Sequence, residues 1–173
     1  SVFGFILFFY YLTRTPDLEL FYSALGIARL SYLPEMSPNH FQFSLLNYLT
    51  SDLFLWLFHF TFLSSLVALA MGFFPRVSAI VAFILHLTFL HRDIAAAYGV
   101  DMICTFFLFY LCFANLKGWK GSKKSVSGSI AFRFCQVQVC LIYAYSGFGK
   151  LAGIYWWKGE AIWRVLANFQ YTS

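Results

Sequence analysis

The hydrophobic and polar positions divide the chain into long apolar runs separated by short polar connections. The runs lie at 2–12, 53–74, 77–90, 100–114 and 130–151. They do not alternate between apolar and polar positions, as the strands of a membrane barrel do. A helix needs about 20 residues to cross the hydrocarbon core and satisfies its own backbone there, so each run is interpreted as a membrane helix. The pattern therefore predicts an all-α fold, a polytopic transmembrane helix bundle of about five spans.

The composition strengthens the membrane assignment. Apolar residues make up 61% of the chain and charged residues 11%, whereas soluble domains carry about 25% charged residues. A domain of this size must still present a surface to water, so the apolar excess cannot all be core. The chain opens within an apolar run and lacks the basic start of a signal peptide. We expect one transmembrane domain over 1–173, truncated at both ends.

The position of the basic residues predicts an orientation. The net charge is +5, and a cluster of lysines lies in "LKGWKGSKK", at Lys117, Lys120, Lys123 and Lys124. Basic loops mark the cytoplasmic side, so the loop 117–129 is predicted to be cytoplasmic. Counting spans from this loop places the Lys150 end of the last run on the outer side, together with Arg92 and Asp101. No basic face or stacking module surrounds the lysines, which argues against nucleic-acid binding.

The cysteines and histidines give no sign of metal or redox chemistry. His59 and His86 lie in the middle of apolar runs, where we interpret them as hydrogen-bonded packing residues. No group of histidines and carboxylates has metal-ligand spacing, so no metal is expected. The cysteines also lie within apolar runs, without a C-x-x-C pair, and are interpreted as small packing residues. They are Cys104, Cys112, Cys135 and Cys140.

Polar residues in the last apolar run form a stripe. Gln136, Tyr143 and Lys150 are spaced by seven residues and so share one helix face. Lys150 has two interpretations, a snorkelling lysine at a helix end or a desolvated general base. Arg92, Asp93 and Asp101 near the start of the fourth run are interpreted as an ion-paired helix entrance. Alternatively, Arg92 and Asp101 are substrate-orienting groups. The tryptophans that follow the last run are typical of an interfacial aromatic belt: Trp156, Trp157 and Trp163.

The segment "QVQVCLIYAYSGFGKLAGIYWWKGEAIWRVL", Gln136 to Leu166, resembles the horizontally transferred transmembrane (HTTM) domain. This is the membrane domain shared with vitamin K-dependent gamma-carboxylase. The family pattern has a glutamine, a tyrosine, a small-Gly-x-x-Lys-Leu element, a tryptophan and Gly-x-Ala. The matching positions are Gln136, Tyr143 or Tyr145, 146–151, Trp156 or Trp157, and 159–161. Upstream, Arg92, Gly99 and Asp101 match the Arg…Gly-x-Asp entrance of the family. The match is specific over 86–166 and weaker but collinear before it.

The resemblance implies a membrane enzyme in which Lys150 is the catalytic base. Its substrate would be a quinone-like or lipidic molecule from the bilayer, with a reduced quinone such as vitamin K hydroquinone as the implied cofactor. Two departures mean that carboxylation itself is not carried over. Gly149 replaces the first lysine of the motif, and Tyr98 falls where the carboxylase has a histidine. The expected substrate-binding or orienting residues are Arg92, Tyr98, Asp101, Gln136, Tyr143 and Trp156.

Other functions stay open on the sequence alone. One alternative is a non-catalytic membrane module, a lipid-binding or assembly subunit, in which Arg92, Asp101 and Lys150 form a structural ion-pair network. A transporter is a weaker option, because no inverted repeat or pair of broken helices is visible. The lipid bilayer is the partner that the sequence implies, and nothing in it indicates a protein partner or an oligomeric state.

Overall fold

The computed structural model describes residues 2–23, 26, 44–49, 51–92, 98–114 and 126–167. These residues contain helices and no strand, which confirms the all-α prediction for the described part of the chain. Eight α-helices occur within it: α1 (Val2–Thr13), α2 (Leu18–Tyr22), α3 (Asp52–Met71), α4 (Pro75–Arg92), α5 (Gly99–Phe113), α6 (Val126–Ala152), α7 (Ile154–Trp157) and α8 (Ala161–Leu166). Short 3-10 turns lie at Thr15–Asp17 and Leu45–Asn47.

Each predicted apolar run is helical, with boundaries that differ from the prediction by up to four residues. The run at 53–74 was expected to continue to Pro75, but α3 ends at Met71 because Gly72 adopts a left-handed conformation with φ 79°. Pro75 instead opens α4, since its fixed φ suits a first helical turn. The last residues of the predicted loop 117–129 are helical, because α6 already begins at Val126. Residues 115–125 of that loop lie outside the described residues.

Two of the described helices, α3 and α6, are long and apolar enough to cross a membrane. Two more, α1 and α5, are apolar but shorter than a full span. One or two helices of this kind are weak evidence for a membrane protein, because a buried core helix of a soluble protein has the same composition. They support a membrane location for the chain at this coarse level.

The chain forms two compact units, Ser1–Arg133 and Phe134–Ser173. In the first unit, α3 packs against α4, α4 packs against α5, and α1 packs against α3. The helices share one core of apolar side chains, which includes Leu7, Tyr11, Phe62, Leu66, Ala82, Phe89 and Leu108. Gly4 lets α1 touch the backbone of α3, because a Cβ at this position would lie 3.0 Å from Leu66 O and Ala70 N.

The second unit contains the larger part of α6 followed by two short helices. Gly153 is extended and ends α6, and the Trp157 indole donates to Leu151 O over 2.6 Å. Gly159 has φ 71°, which favours glycine, and turns the chain into α8. Most side chains of this unit are exposed.

Candidate functional site

A buried carboxylate, Asp101, is the centre of a polar cluster in the first unit. Asp101 lies in the first turn of α5 and is 1% exposed. Its Oδ2 accepts a hydrogen bond from the Tyr98 main-chain N–H over 2.9 Å and lies 3.7 Å from Arg14 Nη2. The Tyr10 hydroxyl donates to Oδ1 over 3.1 Å. The acid therefore caps α5, where the helix dipole favours a negative charge, and has a cation beside it.

Arg14 follows α1 and holds several groups of the cluster in place. One of its nitrogens donates to the Tyr22 hydroxyl over 3.1 Å, and the other donates to the Tyr10 hydroxyl. Its guanidinium also lies 4.6 Å from the centre of the Tyr10 ring. Burial lowers the pKa of Arg14, but interactions with Tyr22, Tyr10 and Asp101 outweigh burial and raise this pKa above its ordinary value. Arg14 is therefore a permanent counter-ion for Asp101.

A second set of hydrogen bonds connects Tyr11, His86 and the start of α5. The Tyr11 hydroxyl lies 2.8 Å from His86 Nδ1, and His86 Nε2 lies 3.0 Å from both Asp101 O and Thr105 Oγ1. The Thr105 hydroxyl donates to Asp101 O over 2.8 Å, and a carbonyl oxygen only accepts. His86 Nε2 therefore carries the ring proton, and Nδ1 accepts from Tyr11. The interpretation of His86 as a hydrogen-bonded packing residue is confirmed.

His59 in α3 is also buried, but only one of its ring nitrogens is paired. Its Nε2 lies 2.9 Å from Thr15 Oγ1. Its Nδ1 has no hydrogen-bond partner in the described structure. The ring packs against Trp56, Phe60 and Phe89. The packing interpretation holds for His59, with one polar atom left unsatisfied.

Arg92 ends α4 and is fully buried. Its Nε donates to Tyr22 O over 3.2 Å, and its Nη2 donates to Ser23 O over 2.6 Å. Because Tyr22 also accepts from Arg14 through its hydroxyl, the two arginines hold α2 between them. The ion pair described for Asp101 is with Arg14. Asp93, the other acid of the predicted helix entrance, lies outside the described residues.

Several members of the cluster were missed from the sequence: Tyr10, Tyr11, Arg14 and Tyr22. One usable signal was the spacing of Tyr10 and Arg14, which are four residues apart at the polar end of the first apolar run. The predicted site residue Tyr98 lies at the N-cap of α5. Tyr98 is 68% exposed; its main-chain N–H donates to Asp101 Oδ2, and its main-chain O accepts from the Asp101 N–H over 2.9 Å.

The other predicted site residues belong to the second unit. Lys150 lies in the last turn of α6 with its Nζ 4.9 Å from the centre of the Trp156 ring, so the structure brings these two residues together. Gln136 and Tyr143 lie on the same helix. Gln136 is fourteen residues from Lys150, which corresponds to about 21 Å along the axis. The polar head of one small molecule therefore does not contact both Gln136 and Lys150.

Lys150 has an aromatic partner rather than an acidic one within its unit. Glu160 is the one carboxylate side chain in 134–167, and its Oε2 lies 3.3 Å from Arg164 Nη2. The predicted ion-pair network of Arg92, Asp101 and Lys150 concerns two separate units and stays a prediction. Among the described residues, no group of three or more His, Cys, Asp or Glu side chains could hold a metal ion.

Comparison with protein-family models, curated proteins and solved structures finds no match to this chain. The resemblance over 86–166 therefore stays a hypothesis drawn from the sequence.

Proposed function

We propose that the chain is a domain of a polytopic integral membrane protein in which α1, α3, α4, α5 and α6 cross the bilayer. The length and composition of α3 and α6 support this. The 18 residues of α4 correspond to about 27 Å, close to the thickness of the hydrocarbon core. Large apolar side chains are exposed on α1, α3 and α5, among them Phe5, Phe60 and Phe109. Such exposure suits lipid better than water.

Counting crossings along the chain assigns the polar groups to one membrane face. The chain leaves α1 at Arg14, returns through α3 and α4 to Arg92, and re-enters at Asp101. Two further crossings bring it to Lys150 on the same face. The basic loop lies on the opposite face, which the positive-inside rule assigns to the cytoplasm. Lys150 and the Asp101 cluster would then both face the outer side.

Within this membrane protein, which we assign to the HTTM-like family, Lys150 acts as a general base. The observation that carries this proposal is the surroundings of its amine. The Nζ lies against the face of Trp156, and the carboxylate in its unit is already paired with Arg164. An amine without an acidic partner, beside a flat aromatic surface, suits an apolar ring substrate with an acidic proton, such as a reduced quinone.

The chain's own residues then have distinct roles. As the base, Lys150 would accept the acidic proton of the substrate at its Nζ, beside the Trp156 ring. Trp156 offers the substrate ring an apolar face. Along the axis of α6, Tyr143 lies about 10 Å from Lys150 and Gln136 lies about 21 Å from it. Only a substrate with a long apolar tail reaches all of them, which favours a prenylated or lipidic molecule over a small soluble one.

Substitution of Lys150 tests the base assignment. The whole chain is reconstituted in nanodiscs, given reduced naphthoquinones with prenyl tails and dissolved O2 as the oxidant, and assayed for oxidation of the quinol above the rate without protein. Loss of a general base lowers turnover by about 10²–10⁴-fold, and this is the result expected for Lys150→Ala. Lys158→Ala, another lysine of the same unit, is the matched control and should retain activity. Full turnover by Lys150→Ala would refute the proposal.

A second candidate function is a non-catalytic membrane module. The observation that favours it is the pairing within the first unit, where Arg14, Asp101, Tyr10 and His86 all find hydrogen-bond partners. Groups that satisfy one another in this way stabilise a fold without touching a substrate. This function predicts that Asp101→Asn lowers thermal stability in detergent, because Arg14 and Tyr10 lose their acidic partner. Unchanged stability of Asp101→Asn would count against it.

A further inference from the structure

The segment after α6, residues 154–166, combines exposed aromatic rings with exposed cations. Trp157 and Trp163 are 72% and 71% exposed. Lys158 and Arg164 lie in the same segment, with Glu160 as its one acid. The segment consists of two short helices, α7 and α8, joined by a turn at Lys158 and Gly159. Aromatic rings and cations in one short segment are typical of a membrane–water interface.

The cations are positioned beside rings. Arg164 Cζ lies 3.9 Å from the centre of the Tyr155 ring, and Arg164 also pairs with Glu160 over 3.3 Å. Lys150, one turn before the segment, lies in the same way over Trp156. In both contacts the charged end itself lies over the face of the ring, so the cation is held beside an exposed aromatic surface. From 150 to 166 there are three cations and one carboxylate, a net charge of +2.

The length of α6 places this segment near the lipid head groups. Its 27 residues correspond to about 40 Å, whereas the hydrocarbon core is about 30 Å thick. A helix of this length that crosses the bilayer brings its last turn, and the chain that follows, to the interface. Side chains exposed there face head groups rather than acyl chains or bulk water.

We propose that residues 154–166 bind the phosphate-bearing head groups of anionic phospholipids. Lys158 and Arg164 would contact the phosphates, and Trp157 and Trp163 would lie at the level of the glycerol. The excess of positive charge selects anionic over zwitterionic lipid. A cation near an anionic surface strengthens association by about fivefold. The inference depends on the proposed crossing by α6 but not on base chemistry at Lys150.

Fluorescence quenching by brominated lipids tests the inference on the whole chain in nanodiscs. Trp56→Phe and Trp119→Phe remove the other tryptophans, so that emission comes from 156, 157 and 163. Brominated phosphatidylglycerol or brominated phosphatidylcholine is titrated into a phosphatidylcholine background. We expect the anionic lipid to associate about fivefold more tightly, and high salt to weaken this preference.

Single-charge variants locate the effect. Lys158→Gln and Arg164→Gln are each expected to reduce the preference for anionic lipid several-fold. Arg76 is an exposed cation near the turn between α3 and α4, and Arg76→Gln should leave the preference unchanged. Equal quenching by the two lipids in the unsubstituted segment would overturn the inference. An equal loss in Arg76→Gln would also overturn it, because the preference would then reflect overall charge. Quenching by neither lipid would contradict the crossing by α6 as well.

Discussion

Breaking the ion pair between Arg14 and Asp101 should have a measurable and coupled effect on stability. At the 3.7 Å separation of Arg14 Nη2 and Asp101 Oδ2, the attraction is about 4 kcal/mol for an effective dielectric constant of 20. The Asp101 side chain is 2% exposed and that of Arg14 22%, so desolvation of the acid offsets part of this gain. We expect a coupling free energy of about 1–2 kcal/mol between the two side chains.

A double-mutant cycle measures this coupling. Asp101→Asn keeps the shape of the side chain and an oxygen for the Tyr98 N–H, and it should lower the free energy of unfolding by about 1–3 kcal/mol. Arg14→Gln should also destabilise the protein, and the double variant should lose less than the sum. The free energies come from equilibrium unfolding in mixed detergent micelles, with helix content followed by circular dichroism.

The exposed pair of Glu160 and Arg164 is the matched control. Their side chains are 47% and 56% exposed and lie four residues apart on the chain, so their coupling should not exceed about 0.5 kcal/mol. Additive effects of Asp101→Asn and Arg14→Gln would refute the assignment of this ion pair. A coupling as small as that of the control pair would do the same.

Two further substitutions test the packing of the first unit by the same unfolding measurement. Gly4→Ala places a methyl group 3.0 Å from the backbone of α3 and should destabilise by about 1–3 kcal/mol, whereas Gly147→Ala, with open space around it, should be neutral or stabilise by up to about 1 kcal/mol. Equal effects would mean that α1 and α3 do not approach as described. Tyr11→Phe leaves His86 Nδ1 without its donor and should lower the free energy of unfolding by about 1–3 kcal/mol. Tyr145→Phe, at an exposed ring, should lower it by almost nothing. An unchanged stability of Tyr11→Phe would contradict the hydrogen bond between Tyr11 and His86.

The helices were predictable from the sequence because their signal is local. Runs of apolar residues too long for a soluble surface predict helices whether or not their partners are known. The ends were less accurate. Gly72 stopped α3 before the apolar run ended, because its left-handed conformation terminates the helix. Pro75 was correctly identified as a boundary but belongs to the following helix.

The polar cluster was only half predictable because its contacts are distant in the sequence. Tyr10 and Asp101 are 91 residues apart, and Tyr11 and His86 are 75 apart. Hydropathy identifies Asp101 as an unusual residue near a helix start but does not say which cation lies beside it. The packing of α1 determines that Arg14 is the cation beside Asp101. This packing depends on a small residue, Gly4, which lets α1 approach α3 closely.

The central proposal is that five helices cross the membrane, with Arg14 and Lys150 on its outer side. Single-cysteine labelling in cells, after the native cysteines are replaced by serine, tests it most directly. We predict that an impermeant maleimide reaches cysteines at Thr13 and Lys158 from outside, and reaches those at Phe74 and Lys120 only after permeabilisation. Labelling of Thr13 and Lys158 from opposite sides, or of Phe74 together with Thr13, would contradict the claim.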